Sequence, residues 1–210
     1  MDASVEVRRV VANRLLALSV SLAAVLAGAM PALSADLKDP LTPLTSAESS
    51  MLCFRRDYSP EHLAQHPKQT TKSVLLAFQQ GYYPFQQAYV TVVVTPRTGA
   101  PKRIAAGCIW SEGANSAPLG RKLFANFDKP AAFGCMVPVP NTDREGGYFL
   151  IDPAQDAKSL SLFLQSPITT VPDKLSKTQD NYVTLGPEDD TFTLTRIEPK
   201  ACASFKAVRE

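Results

Sequence analysis

Residues Tyr89 to Trp110 read YVTVVVTPRTGAPKRIAAGCIW. Val90, Val92 and Val94 fall on alternate positions and therefore share one face of an extended strand. Pro96-Arg97-Thr98-Gly99-Ala100-Pro101 is turn chemistry, because proline presets φ and glycine accepts a positive one. Ile104 to Trp110 runs back, with Cys108 and Trp110 two positions apart and directed to the same side. The stretch is a β-hairpin, and the remaining sequence reads as strands added around it.

Upstream, Lys72 to Phe78 is extended, with Val74, Leu76 and Phe78 on one face. Downstream, Phe133 to Val139, Gly147 to Asp152 and Ser159 to Gln165 are strands, the last placing Leu160, Leu162 and Leu164 together. Pro138 marks its strand as an edge. Tyr182 to Leu185 and Thr191 to Ile197 form a closing hairpin around Gly186-Pro187-Glu188-Asp189-Asp190. Leu123, Phe124 and Phe127, in the loop after Trp110, need some burial and are expected over a sheet edge or an open end. Seventeen prolines argue against long helices. The expected fold is all-β and mainly antiparallel, about eight short strands in a sandwich or a small barrel.

One or two short helices are expected near the N-terminus. Ser59 is an N-cap, Pro60 takes the first helical position, and Pro67 ends a helix of one or two turns. Ala47 to Asp57 reads as a second short helix carrying Cys53. Residues 36–50, with Pro40 and Pro43, read as a flexible lead-in or surface strap.

Residues 1–35 have the layout of a signal peptide: Arg8, Arg9 and Arg14, an apolar run from Leu15 to Met30, then small residues around Ser34. The run is short for a membrane span of about 20 residues. Cleavage after Ser34, with Ala32 at the −3 position, fits better than cleavage after Ala35. Sec-type export to the periplasm or medium is therefore expected, with residues 51–210 as one domain. Without the leader's three arginines and two acids, nineteen positive side chains stand against eighteen negative ones. Such a balance leaves no basic field for nucleic acid, and no second apolar run spans a membrane. A monomer is expected.

All four cysteines follow the leader, and none forms a C-x-x-C pair. An even count in an oxidising compartment argues for two disulfides. Three pairings are open. The favoured one joins Cys53 to Cys202 across the ends and Cys108 to Cys135 across neighbouring strands.

Tyr58 to Gln69 (YSPEHLAQHPKQ) and Asp189 to Arg196 (DDTFTLTR), with a cysteine near each end, resemble a group of small uncharacterised exported proteins of alphaproteobacteria. The resemblance implies a Gram-negative periplasmic setting and carries over no functional residue.

Chemistry-bearing clusters are few. His62 and His66 lie four apart and are candidate metal ligands, with Glu61 or Asp57 as a third. The plainer reading gives them local packing and a helix end, because a closed site needs about four ligands. Glu188, Asp189 and Asp190, with Asp180 nearby, lack the alternation of a calcium loop and read as a solvated hairpin tip. Tyr82, Tyr83, Phe85, Tyr89 and Trp110 form a candidate platform for a sugar or peptide, against the commoner alternative of core packing. No G-x-S-x-G elbow is present. The expected function is non-enzymatic binding of an envelope protein or small molecule, without a cofactor. Inhibition of a secreted hydrolase, or metal-assisted or carboxylate-based hydrolysis, are the alternatives.

Overall fold

The computed structural model describes residues 38–47, 51–81, 86–112, 127–139, 145–170 and 182–205. Eight strands close into a barrel: β1 (Met51–Asp57), β2 (Thr71–Gln80), β3 (Ala88–Pro96), β4 (Lys102–Glu112), β5 (Ala131–Pro138), β6 (Glu145–Pro153), β7 (Ser159–Leu164) and β10 (Thr191–Ile197). Each pairs antiparallel with its neighbour, and β10 returns to β1 through Cys53↔Ile197 and Arg55↔Thr195. Two further strands, β8 (Ile168–Thr169) and β9 (Tyr182–Val183), pair with each other alone. Of the two expected architectures, the barrel is the one adopted.

The alternation read from the sequence becomes the barrel's inside and outside. Leu52, Phe78, Val90 and Ala106 lie in register across β1 to β4, and Phe133, Ile151, Leu162 and Phe192 across β5, β6, β7 and β10. All eight face inward and are buried. A barrel of eight strands encloses just enough space for side chains or for one small ligand. Here Phe54, Phe78, Phe133, Phe149 and Phe192 fill it, opposite the small Ala88 and Ala106. Burying one such side chain contributes roughly 1.5–3 kcal/mol.

Both ends are stoppered. Ile168 of β8 and Val183 of β9 enter the core at one end. At the other, Leu41 is fully buried just before helix α1 (Thr42–Ala47), and Ala157 of the β6–β7 turn joins it.

The Cys108–Cys135 disulfide joins directly opposed residues of β4 and β5 on the inner face, with Cα atoms 4.1 Å apart. The Cys53–Cys202 disulfide lies outside the wall, with Cα atoms 5.8 Å apart. It pins the terminal 3₁₀ turn (Pro199–Phe205) against Ala77 of β2. Both bridges follow the expected pairing.

Several expectations change. Cys53 sits in a strand, not a helix, because Leu52 and Phe54 alternate with it across the wall. Within the expected lead-in, Thr42–Ala47 form helix α1 and Leu41 is buried in the barrel core. The closing hairpin does not form: β7 and β1 occupy both edges of β10, so β9 pairs with β8 instead. A closed barrel has no edge, and Pro138 is accommodated at the end of β5 beside a register shift. Phe127 packs on the outer wall over Ala132, Leu150 and Phe163, while Leu123 and Phe124 lie outside the described residues. Among the described residues no helix is long and apolar enough to cross a membrane.

Candidate functional site

The end stoppered by β8 and β9 carries the densest set of polar and aromatic side chains. They belong to helix α2 (Pro60–Gln65), to the segment joining it to β2, to the β3–β4 turn, and to the turn before β10. The Ser59 hydroxyl accepts from the His62 amide at 3.2 Å, and Pro60 needs no amide partner. The Glu61 carboxyl is held below its ordinary value by its own backbone N–H and by Ser59.

None of α2's residues is buried. Hydrogen bonds and ring contacts therefore hold it to the barrel. The Arg97 guanidinium, from the β3–β4 turn, donates to the carbonyls of Leu63 and His66 at the C-terminal end of α2. The Arg97 amide donates to Thr70 O at 2.8 Å. One side chain thus ties the turn to the helix.

Tyr58, His62 and His66 are spaced by four, which brings them to one face. Their rings stack, Tyr58 on His62 at 4.8 Å between centroids and His62 on His66 at 4.3 Å, each at 22°. The Arg56 guanidinium lies 5.0 Å from the Tyr58 ring centre, in cation–π range. Burial pushes the Tyr58 phenol up; Arg56 opposes the shift and Asp189 adds to it. At the other end of the stack, His66 Nδ1 is 3.6 Å from a carboxylate oxygen of Glu188.

His62 Nε2 lies 3.1 Å from Gln69 Oε1. The Gln69 amide nitrogen donates to Thr71 O at 2.9 Å, which orients the amide. His62 Nε2 must then carry the hydrogen, because the oxygen facing it can only accept.

In the acidic turn Glu188 and Asp190 are exposed, as its composition predicts, but Asp189 is not. Asp189 is fully buried. One of its oxygens accepts from Thr70 N and Thr70 Oγ1, both at 2.6 Å, from Thr71 N at 3.1 Å and from Gly186 N at 3.2 Å. A buried carboxylate is tolerated where several donors replace its water. Asp189 thereby clamps the turn before β10 to the start of β2, and sets Glu188 beside α2. No local signal marks it, because Thr70 and Thr71 are more than a hundred residues away in sequence. Arg97 escaped notice likewise, because its partners Leu63 and His66 lie more than thirty residues before it.

The histidine pair is brought together, but as a stack. Two near-parallel rings direct their in-plane lone pairs along separate planes, and His62 Nε2 is committed to Gln69. Asp57 is paired with Arg55 at 2.6 Å. Among the described residues no group of three or more His, Cys, Asp or Glu side chains is placed to hold a metal.

Of the aromatic cluster, Tyr82, Tyr83 and Phe85 lie outside the described residues, as does Asp180. Tyr89 falls between the inward Ala88 and Val90 and so faces outward. Trp110 packs on the core at the α1 end, edge-on to Phe133 at 5.1 Å, and Phe133 meets Phe78 at 5.0 Å. Tyr89 and Trp110 thus occupy opposite faces of the wall.

The rim gathers a stack of aromatic rings, two guanidinium groups and a carboxylate in one patch. It can bind a polar partner by hydrogen bonds and stacking. Comparison with family models, curated proteins and solved structures yields no match to this chain.

Proposed function

We propose that the protein is an exported, non-enzymatic binding module that meets its partner with the α2-bearing rim. The observation that carries this reading is the division between the barrel's inside and its end. Among the described residues the inside is occupied by five buried phenylalanines, with Ile168 and Val183 joining the core at one end and Leu41 at the other. The rim instead combines exposed polar groups with a buried anchor, Asp189, that fastens the turn before β10 to the start of β2. Export is supported by the leader-like N-terminus and by the two disulfides, which persist in oxidising compartments.

The test is affinity capture from an envelope extract with three baits: the native protein, a rim variant (Glu61→Lys with Lys68→Glu) and a wall variant (Met136→Lys). All three changes are at exposed positions. One species retained in stoichiometric amount by the native and wall baits and lost with the rim bait is the expected result. Retention by the rim bait, or loss with the wall bait alone, contradicts the assignment.

A further inference from the structure

We infer that the Tyr58–His62–His66 stack is a proton-operated latch fastening α2 to the turn before β10.

Six residues are too few for a helix to persist on its own, and α2 buries none of them. Its attachment rests on Arg97, on the His62–Gln69 bond, on the ring stack and on the approach of His66 to Glu188. Elements held by so few contacts open locally at low free-energy cost. Of these attachments, the His66–Glu188 approach gains a full charge when an imidazole takes up a proton. With His66 neutral, Nδ1 can offer the carboxylate only an uncharged N–H. With His66 protonated, Nδ1–H donates to Glu188 and the two form an ion pair. The backbone that carries Glu188 is held near α2, because Asp189 beside it is bonded to Thr70 and Thr71.

The surrounding charges set the balance. Arg56 of β1, Lys68 of the segment entering β2, Lys72 at the start of β2, and Arg97 of the β3–β4 turn oppose an added positive charge. Glu61 of α2 and Asp189 and Asp190 of the turn before β10 favour it alongside Glu188. His62 limits the response. Its ring is 4.3 Å from His66, so a second proton would set like charges face to face. The fastened state is the singly protonated stack. It loosens when His66 is neutral, and again when acid neutralises Glu188.

Hydrogen exchange on the full chain tests this. The amides of Leu63 and His66 donate to Ser59 O and His62 O, and so report on α2. Their protection, corrected for intrinsic rates, is followed from about pH 8 to about pH 5, where imidazoles ordinarily change charge. Protection should rise about two- to fivefold on acidification, the scale of one exposed ion pair. The rise should vanish in Glu188→Gln, while the amide of Val92 in β3 stays protected. A flat profile in the native protein, or the same rise in Glu188→Gln, overturns the proposal.

Discussion

Replacing Asp189 by alanine tests whether one buried carboxylate holds the rim to the barrel. Four donor groups face a single oxygen: Thr70 N, Thr70 Oγ1, Thr71 N and Gly186 N. A hydrogen bond to a charged acceptor contributes about 1.5–3 kcal/mol net. Not all of that is lost, because Thr70 Oγ1 also meets Gly186 N in an exposed contact, where water can substitute. Thr71, by contrast, is 1% exposed, and its amide would be stranded at a cost of about 1–3 kcal/mol. The desolvation of the carboxylate itself offsets part of the loss. The balance is a destabilisation of about 3–5 kcal/mol. For a domain of this size that lowers Tm by roughly 10 °C. The assay is equilibrium unfolding in urea, followed by far-ultraviolet circular dichroism and by the fluorescence of Trp110, the single tryptophan. Coincidence of the two transitions justifies a single free energy. Asp189→Asn keeps one acceptor oxygen and should fall between native and alanine. A loss below about 1 kcal/mol for alanine with an unchanged m value would refute the clamp.

Further outcomes follow from the same structure. Removing the outer disulfide by Cys53→Ser with Cys202→Ser should cost about 5 kcal/mol and removing the inner one about 3.5 kcal/mol in the chain-entropy account, so a reversed order in denaturant unfolding would contradict loop length as the cause. Phe133→Ala, at the junction of Phe78 and Trp110, should cost about 3–5 kcal/mol and alter the tryptophan emission. Ser59→Ala should weaken α2 locally by about 1 kcal/mol, seen as faster exchange at Leu63 and His66 with little change in global Tm, because α2 buries nothing. Burial pushes the Asp152 carboxyl above its ordinary 3.8, with Asp128 adding and Lys129 opposing. A raised acid binds its proton more tightly in the fold, so this contribution is present at low pH and lost as pH rises from 3.8 through the raised value. The stability of the native protein minus that of Asp152→Asn should therefore decline across that interval; a difference that rises with pH contradicts the burial.

How far the sequence reveals this molecule depends on the range of the interaction. Alternation is local, so the even-numbered valines of β3, the leucines of β7 and the Ser59 cap could be read directly. The disulfides could be paired because a bridge between neighbouring strands and a bridge between ends exhaust four cysteines in the most economical way. Closure of the barrel was not legible, because whether β10 pairs with β9 or with β1 and β7 depends on strands far apart in the chain. Leu41 was hidden for a similar reason: Leu41 and Leu44 among prolines and threonines are too short a pattern to mark a core element, yet Leu41 completes the core. The acidic turn misled most. Three consecutive carboxyl groups suggest solvent, and nothing nearby indicates that the middle one meets Thr70 and Thr71.

The central claim is that the barrel interior is closed and that recognition belongs to its rim. Titration of the folded protein with a neutral apolar dye such as N-phenyl-1-naphthylamine tests the first half, on which the second depends. The filled interior predicts no saturable binding and no change in Trp110 emission. Saturable one-to-one binding that quenches Trp110 and is displaced by a fatty acid would show an open cavity, and would move the site from the rim to the inside of the barrel.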